Sequence, residues 1–345
     1  MKTSEVLHAW GAILTGRRPS LSIELTRECP LRCPGCYAYE DAHLGVAGVT
    51  LRQLSDSKGS DLVQGVLRVV EEHRPLHLSL VGGDPLVRYR ELLELLPELD
   101  RRGIHVQLVT SAFREIPAQW DALSRLNIVV SVDGLQPEHD LRRKPATYER
   151  ILKCIAHSRV SIHCTITSQM MQREGYLEEF VRFWSLRNQT KRIWFSFFTP
   201  QKGAIDPEIL TRQQRTRAMA ELLRLREVYP LLDMDASAIK EFAHPPASPR
   251  DCIFASTTTT ISADLKTRVT PCQFGGDPDC SQCGCIASMG LAAVGHHRLF
   301  PGVTTGQIFT VSRLIGQGVS ALRSIGRPND DAAVGPEVEE DIRAA

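Results

Sequence analysis

The chain has 345 residues, 42% hydrophobic and 6% aromatic, with 41 basic against 40 acidic side chains and a formal net charge of +1. That length suits one large α/β domain or two ordinary ones, and the charge balance gives neither the basic footprint of a nucleic-acid binder nor a polybasic membrane anchor. The first 20 residues lack the plan of a signal peptide and no apolar run could cross a bilayer, so a cytoplasmic protein without nucleic-acid or membrane partners is expected, whose ten cysteines point to metal binding or catalysis before disulfides.

Residues 1–20 read as a short helical segment. From residue 21 the chain alternates β-rich runs with amphipathic ones. Strands are predicted at 21–26, 76–83, 105–112, 127–134, 161–168 and 192–200, and helices at 61–73, 89–102, 117–126, 148–157 and 175–187. Such alternation predicts βαβ units on a parallel sheet, an α/β fold built as an open or partial barrel with helices outside. The regularity ends near residue 205. A helix over 211–228 leads into a loop-rich, cysteine-dense stretch, which makes 206–326 a C-terminal extension. The polar, acidic tail 327–345 has the composition of a disordered segment.

Ligands of parallel α/β folds gather at the C-terminal ends of the strands. The first such end carries Cys29, Cys33 and Cys36 in a C-x3-C-x2-C loop stiffened by Pro30, Pro34 and Gly35. Disulfides need an even number of thiols and a structural zinc needs four ligands. Three thiols suit a cubane iron–sulfur cluster that keeps one iron open. The second end carries Gly82, Gly83, Asp84 and Pro85, which alone would make a tight turn. The third carries Thr110 and Ser111, and the fourth the run Ser131-Val132-Asp133-Gly134.

Together these residues resemble the radical S-adenosylmethionine (SAM) superfamily over roughly residues 21–200. Gly35 stands where the family pattern has an aromatic residue, and Tyr37 follows one position after the third cysteine. The resemblance implies a (β/α)6 partial barrel whose [4Fe-4S] cluster is bound to three cysteines and to SAM. Cleavage of SAM there gives methionine and a 5′-deoxyadenosyl radical that takes hydrogen from a substrate. It implies that residues 82–85 receive the SAM amino group, with Asp84 where Glu is usual. It also implies that Ser131 and Arg143 meet the SAM carboxylate and Tyr37 packs over the adenine. Arg142 and Arg143 read without it are a solvated pair beside Glu138 and Asp140. Ser111 and Thr165 are candidates for the ribose, or equally for helix caps.

The extension holds Cys252, Cys272, Cys280, Cys283 and Cys285, five cysteines in 34 residues, for which structural zinc is the plain alternative. This segment is similar to the SPASM and shorter twitch extensions of the superfamily, which implies a second, auxiliary [4Fe-4S] cluster. The ligand set stays open: Cys272, Cys280 and Cys283 with either Cys252 or Cys285, or three of them with an open iron. Cys154 and Cys164 read as buried thiols. His163, His296 and His297 read as structural before functional. The resemblance implies an electron donor such as flavodoxin or ferredoxin. Its members with such extensions act on peptides and proteins or on small molecules and cofactors. Peptide or protein modification leads here, although only about 20 residues precede the first strand, too few for a separate peptide-recognition domain. A non-catalytic iron–sulfur or zinc protein would need neither residues 82–85 nor Arg143.

Overall fold

Most of the strand-forming runs bury apolar residues at alternate positions. In a computed structural model that describes residues 3–40, 43–45, 49–145 and 147–325, these runs form one parallel sheet. Its strands are β1 (Ser20–Glu24), β2 (His77–Val81), β3 (His105–Thr110), β4 (Leu126–Ser131), β5 (Val160–Ile166), β6 (Thr190–Phe197) and β7 (Thr258–Ile261). The spatial order is β6-β5-β4-β3-β2-β1-β7, with parallel pairing throughout. Leu78, Leu80, Leu108, Val130, Ile162 and Phe195 join the helices in the main core. The opposite face carries Ser79, Gln107, Ser131, His163 and Ser196. A later helix reaches this polar face at its start, where the Ile286 N–H donates to Ser196 Oγ at 3.4 Å.

Helices follow the apolar spacing. After α1 (Thr3–Leu14), α2 (Gly59–His73) buries Leu62, Val63, Val66, Leu67 and Val70, and α3 (Tyr89–Arg101) buries Leu92, Leu95, Leu96 and Leu99, one stripe each. The short α4 (Glu138–Arg142) and α5 (Tyr148–Cys154) and then α6 (Tyr176–Ser185) complete the outer layer. The helix expected at 117–126 is a single 3-10 turn, Ala118–Ala122, because Pro117 blocks an earlier start and Leu126 is already in β4.

The end of the alternation near residue 205 does not end the sheet. Helix α7 (Arg212–Val228) starts at a Thr211–Gln214 capping box, α8 (Ala236–Glu241) and α9 (Ile253–Thr257) follow, and β7 then adds a seventh strand beside β1, Ile261 opposite Ile23. The run Thr258-Thr259-Thr260-Ile261 has β-branched propensity without apolar alternation, so periodicity missed it. Helix α10 (Ile286–His296), the hairpin β8 (Arg298–Phe300) and β9 (Val303–Thr304), and α11 (Thr305–Ile325) complete the described chain. Trp10 of α1 meets Phe309 of α11 edge-on, ring centroids 5.3 Å apart. Among the described residues no helix is long and apolar enough to cross a membrane. The tail 327–345 lies outside the described residues.

Because β7 belongs to the same sheet as β1, core and extension are expected to unfold in one calorimetric transition. Ile261→Ala should lower its midpoint at a cost of about 2–5 kcal/mol. Two resolved transitions, only one of them moved by Ile261→Ala, would contradict the shared sheet.

Candidate active site

The cysteine loop leaves β1 without regular structure, so its backbone must find partners elsewhere. Asp56 supplies two bonds at its root, accepting from Thr26 Oγ1 at 2.7 Å and from the Arg27 N–H at 3.1 Å. Buried Arg88 joins this carboxylate at 2.7 Å to Glu28 at 3.2 Å. The bonds from Arg88 and Lys58 hold the Glu28 carboxyl down at about 2. Beyond this anchor Cys29, Cys33 and Cys36 are half-buried. Burial pushes Cys29 up to about 12, against the Leu31 N–H that donates to its sulfur, and the charges of Asp84, Cys36 and Cys33 raise it further. The three thiols are carried on one loop, and a metal group bound to them would displace their protons. Cys33 and Cys36 open onto a cavity of about 560 Å³ that Arg32, Tyr39, Glu40 and Arg52 also line.

The Gly-Gly-Asp-Pro turn is stitched to this loop. Gly82 and Gly83 have φ of +76° and +49°. A Cβ on Gly83 would lie 2.2 Å from the Glu28 carbonyl oxygen, and one on Gly82 would lie 2.3 Å from the Glu24 Cβ. Thus the glycines are required by contact with β1 and the cysteine loop, not by open space for a ligand. The Asp84 N–H donates to the Glu28 carbonyl at 2.9 Å. The buried Asp84 carboxylate accepts four bonds, from Thr110 Oγ1 (2.7 Å), Ser111 N (2.8 Å), Ser111 Oγ (2.5 Å) and Leu86 N (3.0 Å). It ties the end of β3 to the turn, and Ser111 is drawn into that bracket.

Asp133, just past β4, is fully buried and joins Arg142 and Arg143. Burial alone would raise its carboxyl; the two guanidiniums hold it well below the usual carboxylate range. Arg143 gives Nε at 2.8 Å and one Nη at 2.7 Å to the same oxygen, leaving its other Nη without a bond to the described residues. Arg142 is no solvated partner: it also grips Glu208 through two bonds, at 2.6 and 2.7 Å. The Thr165 N–H donates to Asp133 at 3.2 Å, and Ser131 ends β4 beside His163. His163 shares a proton with Ser196 at 2.9 Å, and burial lowers its pKa to about 4. His296 lies exposed at the far end of α10, bonded to Glu241.

The five C-terminal cysteines converge. Cys252, Cys272, Cys280, Cys283 and Cys285 line one pocket, with Phe274 and Ser288 in its wall. Arg215 of α7 fixes the segment by donating to the carbonyls of Gln282 at 3.0 Å and Cys283 at 2.9 Å. Gly284 packs so closely that a Cβ would lie 1.9 Å from the Phe197 carbonyl oxygen at the end of β6. Among the described residues no three His, Cys, Asp or Glu side chains are grouped tightly enough for a single metal ion. Tyr37 stands between the two cysteine groups, its ring 5.4 Å from Phe274 and 5.7 Å from His43. Burial raises its hydroxyl pKa first, with the charges of Glu24, Cys36 and Cys285 adding to it.

Every sequence-predicted residue from Cys29 to Arg143 thus lies at or just past the C-terminal ends of β1 to β4, and the later cysteines form their own group. Sequence reasoning missed Glu24, His43, Asp56 and Arg88. A glutamate closing an apolar strand was a signal for Glu24; His43 gave none.

Three comparisons bear on this site. Residues 23–183 match the radical SAM superfamily model. The chain is 31% identical over 118 residues to a PqqA peptide cyclase of Ruegeria pomeroyi, a stretch that takes in 33% of this chain and 29% of that relative's length. Its fold is similar to that of AdoMet-bound anSMEcpe, with a TM-score of 0.54 at 17% identity over 78% of this chain and 80% of the other. It is similar, too, to Streptococcus suis SuiB bound to its precursor peptide SuiA, with a TM-score of 0.53 at 16% identity over 79% of this chain and 63% of the other.

Asp133→Asn should lower stability at neutral pH by about 3–5 kcal/mol, since it leaves two buried guanidiniums short of a counter-charge. A carboxyl held below its unfolded value of about 4 stabilises the fold above that pH and ceases to as pH falls toward the folded value. The gap between wild type and Asp133→Asn in urea midpoint should therefore narrow from about pH 5 to about pH 3. A gap that stays constant would show the ion pairs are not its source.

Proposed function

We propose, from the radical SAM domain that residues 23–183 of this chain carry, that the protein is a radical SAM enzyme modifying a peptide or protein, with an auxiliary iron–sulfur cluster in its extension. One observation carries the reading: three thiols without a fourth share the end of a parallel sheet with a Gly-Gly-Asp-Pro turn bonded to their loop. Cys29, Cys33 and Cys36 would hold the [4Fe-4S] cluster. Once bound there with SAM and reduced by a flavodoxin- or ferredoxin-type donor, it supplies the radical that draws hydrogen from the substrate.

The chain's own residues bind and orient. Main-chain atoms of residues 82–85 would receive the SAM amino group, on a turn that Asp84 bonds to Thr110 and Ser111. Asp84 itself has no capacity to spare for the ligand. The unbonded Nη of Arg143 suits the SAM carboxylate, with Asp133 fixing the plane of the guanidinium and Ser131 alongside. Cys252, Cys272, Cys280, Cys283 and Cys285, which line one pocket, offer more sulfurs than an auxiliary [4Fe-4S] cluster needs. A peptide substrate is supported by the names of two relatives, a PqqA peptide cyclase and SuiB with its precursor peptide.

Protein purified without oxygen and reconstituted should contain about eight irons and about eight sulfides, and with reductant and SAM should form 5′-deoxyadenosine. Cys33→Ala should reduce the nucleoside to background. About four irons with about one zinc would remove the auxiliary cluster from the reading, and no nucleoside from wild type under any reductant would remove the enzyme. Deuterated peptides should pass deuterium to the nucleoside; transfer from a small metabolite alone would move the substrate to that class.

A further inference from the structure

Glu24 and His43 belong to neither set of thiols, yet both are buried at the boundary between them, with exposures of 1% and 0%. His43 Nε2 lies 2.6 Å from Glu24 Oε1, and its Nδ1 lies 2.9 Å from the Phe274 carbonyl oxygen. That carbonyl can only accept, so Nδ1 carries the hydrogen. The second Glu24 oxygen accepts from Ser262 Oγ at 2.5 Å, and Ser262 is fully buried just after β7. One carboxylate thus joins β1, the segment after the cysteine loop, the end of β7 and the chain two residues beyond Cys272.

Two glycine turns are shaped around this group. A Cβ on Gly275 would come within 1.8 Å of the His43 carbonyl oxygen, and Gly82 packs directly on Glu24. Burial opposes a charged imidazole, but the bond and charge of Glu24, with the Phe274 carbonyl, outweigh it and raise the His43 pKa above its ordinary value. Tyr37 rests against both His43 and Phe274. It follows Cys36 in the chain, and Phe274 lines the second cavity with Cys272. The contact between the two cysteine groups therefore runs through residues that His43 holds.

We propose that Glu24 and His43 are positioning residues, a buried carboxylate–imidazole latch that fixes residues 272–276 against the cysteine loop and so sets the spacing of the two cysteine groups. This deepens the proposed function and depends on it only for what the thiols hold. The latch acts through Phe274 and Tyr37 and touches no reacting atom.

Hydrogen exchange and electron paramagnetic resonance on the reconstituted protein test it, with His43→Ala, Glu24→Gln and, as a stability control, Leu99→Ala. Leu99 is fully buried on α3, near the turn that enters β3 at the opposite end of the sheet. His43→Ala should speed amide exchange across 272–285 by about tenfold or more while α3 and β2 keep theirs, and should alter the line shape of the reduced clusters. Glu24→Gln, which keeps the shape and loses the charge, should do the same more weakly. Leu99→Ala should lower the thermal midpoint without either local change. Equal patterns in His43→Ala and Leu99→Ala, or unchanged exchange at 272–285 in His43→Ala, would overturn the latch. If wild type takes up only one cluster, the auxiliary-cluster reading fails, and the exchange result still decides the latch.

Discussion

The site depends on Asp84, where the irregular cysteine loop is bonded to a regular strand end. Its carboxylate collects donors from Thr110, Ser111 and Leu86, while its own N–H holds the Glu28 carbonyl at the base of the loop. A loop with prolines and glycine has little hydrogen bonding of its own, and a parallel sheet offers fixed positions only where its strands stop. Asp84 connects the two. The four bonds it accepts offset part of the cost of burying its charge, and burial still raises its pKa above the ordinary value.

The other buried charges work in the same way. Asp133 holds Arg142 and Arg143, and Arg88 holds Asp56 and Glu28. Such pairs give little net stability compared with apolar packing, since desolvation offsets much of their attraction. What they give here is direction: each fixes a guanidinium or a loop root close to the three thiols. The apolar work lies behind the sheet, where the rows of Leu and Val on α2 and α3 meet Leu78, Leu80 and Leu108. The core thus lies along the strands, and the candidate site residues lie at and past their C-terminal ends.

Much of this was legible in the chain. Apolar periodicity located six strands to within a few residues, and the C-x3-C-x2-C spacing with Gly82 to Pro85 marked the candidate site at two strand ends. The misses have physical causes. A run of four threonines has no apolar alternation, so β7 was invisible although its β-branched side chains suit a strand. The stretch at 117–126 had helical spacing, but too few residues remained between Pro117 and β4 for more than a 3-10 turn. The spacing along the chain did not record that the atoms excluding a Cβ at Gly82 and Gly83 belong to Glu24 and Glu28.

By itself, then, the sequence determined the α/β alternation, the three-thiol loop and the presence of a second cysteine group. These are local facts, fixed by spacing along the chain and by the repeat of strand and helix. The tertiary structure alone decided that the extension joins the core sheet beside β1, and that five scattered cysteines line one cavity. It also decided that Glu24, His43 and Phe274, far apart in the chain, meet at the boundary between the two groups. Those facts rest on contacts between distant residues, and no periodicity records which buried carboxylate will find which imidazole.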